Sequence, residues 1–261
     1  MPAFWAGRAG PANGAINLGA ALKLKRRAWR CYYRPPGECF RGMTVGLANP
    51  RGDDGASPPA FQDKTVLIAG AGCGVGRLLC RGYAGGGARV VAMDGSEPAV
   101  LALARQAPAR VEALALDPWQ PAACRRLGAA WQDEPLHVLV HLQPLCRPGR
   151  PAAAMAAIEL LTVALIPGLG AGRGRVLILI EAATPDDSVS AGRLHTALRG
   201  LAAGLDARHR ASGVSVNAVL VPPGKTANPD PAAIWQAAAL LTAPAAMRAG
   251  GAVIPLRRGP D

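Results

Sequence analysis

From Lys64 onward the chain alternates short, nearly unbroken apolar runs with helix-length, alanine-rich segments. That alternation restricts the fold more than any other feature of the sequence. The runs are "KTVLIA" (64–69), "ARVVAMD" (88–94), "RVEALAL" (110–116), "LHVLVHL" (136–142), "GRVLILI" (174–180), "VSVNAVLV" (214–221) and a short "AVIPL" (252–256). A strand with one face in water shows polar residues at every second position. Runs that are apolar throughout therefore imply a sheet covered on both faces, and helix-length spacers imply parallel crossovers. Helices are expected over about 75–86, 97–107, 119–132, 152–169, 189–211 and 231–242, the third with Asp117-Pro118 as its cap and first-turn proline. The architecture is thus α/β with a parallel sheet.

The first 60 residues do not share this pattern. They hold nine Lys/Arg against three acids and so carry +6 of the formal +12, much of it in "LKLKRRAWRCYYR" (22–34). Such a block solvates a tail more readily than it forms a nucleic-acid face, and "RGDDGASPPA" (51–60) punctuates the chain as a linker does. We expect a basic, disordered extension over 1–60 and a folded domain over 61–261. The segment is Arg-rich and acid-poor, but it has no Ser before Ser57 and no compact apolar stretch of the kind that targeting peptides carry. The most apolar window, "AAIELLTVALIPGLGAG" (156–172), contains Glu159 and Pro167, so no membrane span is expected. Six cysteines at 31, 39, 73, 80, 124 and 146 show no CxxC pair or metal-ligand spacing. They suit a reducing, cytoplasmic setting, with no metal site.

The sharpest local motif follows the first run: Gly70-x-x-x-Gly74-x-Gly76, opening a helix. Glycines there permit a tight turn and a close approach of backbone N–H groups to a pyrophosphate, which the helix N-terminus also favours. The second run ends in Asp94, the place from which a carboxylate accepts ribose hydroxyls and repels a 2′-phosphate. A dinucleotide, NAD in preference to NADP, is the ligand these residues suggest.

On these residues the chain resembles the short-chain dehydrogenase/reductase family over about 62–258. The resemblance implies a doubly wound, parallel Rossmann sheet of about seven strands. It places Asp117 at the adenine pocket. In "VSVNAVLVPPGKT" (214–226) it places Asn217 on the sixth strand, Pro223 and Gly224 beside the nicotinamide, and Thr226 near the carboxamide. It also makes the helices at 152–169 and 189–211 the faces through which subunits pair.

The family's catalytic residues are missing from the matching positions. "AGRLHTALRGLAAGL" (191–205) resembles the catalytic helix but sets Ala191 at the tyrosine and His195 at the lysine, and the last tyrosine of the chain is Tyr83. Ile180, Glu181 or Ala182 stands where the serine is expected, and Ala154 near the asparagine. "HLQP" (141–144) replaces the usual strand-four motif, and only "KTANPD" (225–230) follows the Pro223-Gly224 turn, so the substrate-covering loop is nearly gone. Three functions are consistent with this: a cofactor-binding pseudoenzyme or regulatory partner; a divergent NAD-linked oxidoreductase using Glu181, His195 and His141, all at the carboxyl edge of the sheet; and a basic interaction protein acting through residues 1–60.

Overall fold

The computed structural model describes residues 60–107, 109–132, 134–147, 150–182, 188–222, 231–243 and 250–256. Every apolar run becomes a strand: β1 (Thr65–Ala69), β2 (Arg89–Asp94), β3 (Val111–Ala115), β4 (Val138–His141), β5 (Arg175–Glu181), β6 (Ser215–Val221) and β7 (Val253–Pro255). All pairings are parallel, in the order β3-β2-β1-β4-β5-β6-β7. The sheet is an α/β Rossmann sheet of seven strands, and its order reverses between β1 and β4.

Alternate residues of each strand face opposite layers. Val66, Ile68, Val90, Val140 and Leu177 pack with Leu79 and Tyr83 of α1 (Gly74–Gly85), Val100 of α2 (Glu97–Gln106) and Ile234 of α8 (Pro231–Thr242). Leu67, Met93, Leu139, Ile178 and Val216 pack on the other side. Their partners are Leu127 of α3 (Pro121–Trp131), Ile158 of α5 (Pro151–Ala164) and Leu198 of α7 (Ser188–His209). Two buried layers account for strands without polar alternation.

Three local expectations are corrected. The helix expected over 152–169 is two helices, α5 and α6 (Ile166–Gly172), bent by 61°. Pro167 has no N–H to donate and its ring crowds the preceding turn, so the chain restarts at Ile166. A one-turn helix, α4 (Gln143–Cys146), follows β4 where no element was expected. Asp117 does not cap α3, whose N-cap is Gln120; instead its Oδ1 accepts the Trp119 N–H at 3.0 Å and closes a turn before the helix.

Among the described residues no single helix is long and apolar enough to cross a membrane. Asp206, 1 % exposed, fixes α7 against the sheet by accepting the Val216 N–H at 3.0 Å and pairing with Arg210. Asn217 does the same for the sheet edge, accepting the Ala252 N–H at 3.1 Å to hold β7 on β6.

Candidate functional site

In open parallel sheets, ligands bind outside the carboxyl ends of the strands where the strand order reverses, here between β1 and β4. The turn leaving β1 is built for close approach. Gly70 takes φ +82°, a conformation glycine adopts without strain, and its N–H donates to the Met93 carbonyl at 2.9 Å. A Cβ on Gly76 would lie 2.6 Å from the Ala71 carbonyl carbon and 2.7 Å from its Cα, so only glycine lets α1 start against the turn. Gly74 differs, because a Cβ there meets nothing within 4 Å. The described residues therefore set no steric requirement for glycine at 74.

The start of α1 is open to an anion. Its N-cap is Cys73, which makes no side-chain capping bond, and the first turn contains no acid. Backbone N–H groups at such a terminus favour negative charge.

Asp94 ties this cradle to the next strand. Its Oδ2 accepts the Gly72 N–H at 3.1 Å and its Oδ1 accepts the Ser96 N–H at 2.9 Å. A Cβ on Gly72 would sit 2.9 Å from that same Oδ2, so glycine at 72 permits the contact. The carboxylate is therefore aimed and held before any ligand arrives, with lone pairs to spare. Asp117 lies nearby, its Cβ 3.2 Å from where a Cβ of Gly95 would be. Pro223, Gly224 and Thr226 lie outside the described residues.

Toward β5 the edge opens into a cleft of about 310 Å³, its mouth included, lined by Pro144, Arg147, Pro151, Ala154, Met155, Ile180, Glu181 and Leu198. Arg147 stacks over Trp119, its guanidinium carbon 5.1 Å from the ring centroid. Glu181 and Ala154 thus reach one cleft. His195 is part-exposed on α7, one helical turn beyond Ala191, and does not line it.

His141 sits beneath this surface. It is fully buried, with Nε2 2.9 Å from Thr162 Oγ1 and Nδ1 3.2 Å from Gln143 Oε1. Burial lowers its pKa from 6.5 to about 4, against the opposing effect of the Gln143 bond. Both ring nitrogens are engaged and the imidazole has no solvent contact, so it holds the end of β4 to Thr162 and Gln143.

This burial has a consequence for stability. The imidazole takes up its proton near pH 6.5 when unfolded but only near 4 when folded, so unfolding takes up a proton between roughly pH 6.5 and 4. Stability is intact above that window and falls as pH drops through it, with the slope of one proton, about 1.4 kcal/mol per pH unit. Urea denaturation of the wild type and His141→Gln over this range is expected to show a shallower dependence in the variant. Equal slopes would contradict the placement of His141.

Sequence reasoning missed four participants. Gln143, within the "HLQP" that signalled departure, is fully buried at the crevice with its Nε2 unpartnered among the described residues. Arg147 and Trp119 meet only through the fold, and Cys146 reaches the cradle from 76 positions away, its S–H donating to the Gly70 carbonyl at 3.4 Å. The unusual "HLQP" was the one local hint.

A parallel sheet with a glycine turn and an acid at its switch point defines a dinucleotide-fold protein, and solved structures narrow this. BdcA from Escherichia coli matches with TM-score 0.59 and 25% identity over 76% of this chain and 100% of that one. A hydroxysteroid dehydrogenase from Escherichia coli matches with TM-score 0.64 and 17% identity, covering 78% and 99%. RhlG from Pseudomonas aeruginosa, solved as an active-site complex with NADP, matches with TM-score 0.64 and 20% identity, covering 76% and 97%. The chain has the short-chain dehydrogenase/reductase fold. No protein-family model and no curated protein sequence matches it.

Proposed function

We propose that the chain binds NAD(H) in the β1–β4 crevice and has lost the family's carbonyl chemistry, so that it serves as a cofactor-dependent binding or regulatory partner. The observation that carries this is the contrast between the two ends of one site. At the phosphate end the glycine turn, the uncapped helix start and the aimed Asp94 all suit a dinucleotide. At the other end the described residues lining the cleft are mainly apolar; by the resemblance Ala154 stands near the family's asparagine, and Ile180, Glu181 or Ala182 at its serine. Gly70, Gly74 and Gly76 would admit the pyrophosphate, Asp94 the adenosine ribose, and Asp117 with Trp119 would border the adenine. By the resemblance, Pro223, Gly224 and Thr226 complete the nicotinamide end. A bound nicotinamide supplies hydride, and this chain's residues would orient it without a phenol and ammonium to manage the proton.

One observation favours a second reading, a divergent oxidoreductase. Glu181 and Arg147 share the cleft, so an acid and a cation flank whatever binds there. His141 contributes to neither reading beyond holding the end of β4. We further propose that residues 1–60 form an extension outside the domain at 61–261, and that copies pair through the outer faces of α5 and α7.

Cofactor choice tests the role of Asp94. Full-length protein titrated calorimetrically is expected to bind NADH at least about tenfold tighter than NADPH, since like charges close together are costly. Asp94→Asn, which keeps an acceptor but removes the charge, is expected to bring the ratio toward one. Equal affinities in the wild type, or an unchanged ratio in the variant, would remove Asp94 from the nucleotide site.

A further inference from the structure

We propose that the cleft beside β5 holds a short apolar monocarboxylate, its carboxylate on Arg147 and its hydrocarbon against Ala154, Met155, Ile180 and Leu198. The proposal deepens the reading above of this sheet edge as a ligand site, and rests on it. Ala154 and Met155 come from α5, Ile180 from β5 and Leu198 from α7, so three elements converge on one apolar wall. Ala154, Ile180 and Leu198 are buried and Met155 is half-buried. None of the four offers a strong hydrogen bond. A polar group set among them would give up water with nothing in exchange, so the part of the ligand that lies there is hydrocarbon. The flexible, polarisable Met155 thioether adapts to the shape of that hydrocarbon.

Arg147 supplies the polar end. It is the C-cap of α4, exposed, and lines the same cleft. Among the described residues it enters no ion pair, although Glu181 lines the cleft with it. Its guanidinium lies instead over Trp119, 5.1 Å from the ring centroid. A guanidinium held on a ring face keeps its in-plane N–H fork for another partner, and that fork matches the two oxygens of a carboxylate. The contact with Trp119 also restrains a long side chain before a ligand arrives, so less freedom is lost on binding.

Glu181 and the size of the cleft narrow the class. A second carboxylate, or the double charge of a phosphate, would meet the Glu181 carboxylate within the same small space. An amine would suit Glu181 but face the Arg147 cation, and Glu181 already has a partner in the protein. A single negative charge at the Arg147 end satisfies both residues. At about 310 Å³ with its mouth included, the cleft lies at the lower end of the roughly 300–1,000 Å³ usual for ligand sites, so the acid is a short one.

The test titrates the full-length protein with hexanoate, acetate, hexanamide, hexylamine and adipate, followed by saturation-transfer NMR, beside a separate titration with NADH. Hexanoate is expected to bind saturably and at least about tenfold more tightly than each of the others, which lack the tail, lack the charge, reverse it or double it. Arg147→Gln changes an exposed residue and is expected to melt as the wild type does, to bind hexanoate at least about tenfold more weakly, and to lose the preference for hexanoate over hexanamide. Arg150→Gln removes another exposed cation, one outside the lining, and is expected to leave hexanoate binding unchanged. Acetate, hexanamide or hexylamine binding as tightly as hexanoate, or undiminished hexanoate affinity in Arg147→Gln, would overturn the proposal. NADH binding with no hexanoate binding would overturn it and leave the dinucleotide reading standing. The expected hexanoate pattern in a protein that does not bind NADH would support it and overturn the dinucleotide reading alone.

Discussion

Given NADH and a panel of aldehydes and ketones, the protein is expected to turn over about 10²–10⁴-fold more slowly than family members that keep their acid/base residues. That is the range a positioned proton donor contributes to such steps. Reducing a carbonyl leaves negative charge on its oxygen, which must meet a donor within hydrogen-bond reach. By the resemblance, Ala191 stands at the position of the phenol and His195 at that of the ammonium, on a helix whose described cleft contact is Leu198. Ala154 and Ile180 line the cleft, and His141 is buried. Among the described lining residues Glu181 is the one acid and Arg147 the one cation. The panel is run with Glu181→Ala, His195→Ala and His141→Ala alongside. Fast turnover abolished by Glu181→Ala would establish the divergent oxidoreductase. Fast turnover indifferent to all three would show that the catalytic register lies elsewhere in the chain.

The second large effect concerns the glycines of the turn, which are not equivalent. Gly76→Ala places a methyl group against the Ala71 backbone, within 2.7 Å of its Cα, and backbone atoms cannot swing aside as a flexible side chain does. Overpacking of this kind costs roughly 3 kcal/mol, which for a domain of this size lowers the melting temperature by roughly 6–12 °C. Gly74→Ala puts its methyl in open space at the first position of α1 and exchanges a poor helix former for the best one. Its melting temperature is expected to be unchanged or slightly raised, by no more than about 1 kcal/mol in stability. Scanning calorimetry separates the two, and a wild-type melt for Gly76→Ala would mean that α1 does not start against Ala71.

Most of the fold was legible because it depends on local pattern. Runs such as "TVLIA" and "RVLILI" have no polar alternation, and every one of them became a parallel strand, the central ones buried on both faces. The bend near Pro167 was also in the sequence, since the missing N–H fixes where the helix must restart, but the apolar period on either side concealed it. Other features depend on contacts between distant segments. Nothing near Asp94 shows that it binds the Gly72 N–H, nothing near His141 shows that Thr162 and Gln143 enclose it, and nothing near Cys146 shows that it reaches Gly70. The Asp117-Pro118 pair suggested a helix cap because such pairs often are one, yet here the carboxylate closes a turn three residues early.

The central claim is that the crevice still holds a dinucleotide although the catalytic set is gone. Calorimetric titration of NADH into the full-length wild type and Gly74→Ala addresses it most directly. The expected result is saturable binding of one NADH per chain in the wild type, weakened at least about tenfold in a Gly74→Ala protein that melts normally, because the added methyl occupies space that only the ligand uses. No saturable binding to the wild type, or equal affinity in the two proteins, would contradict the claim.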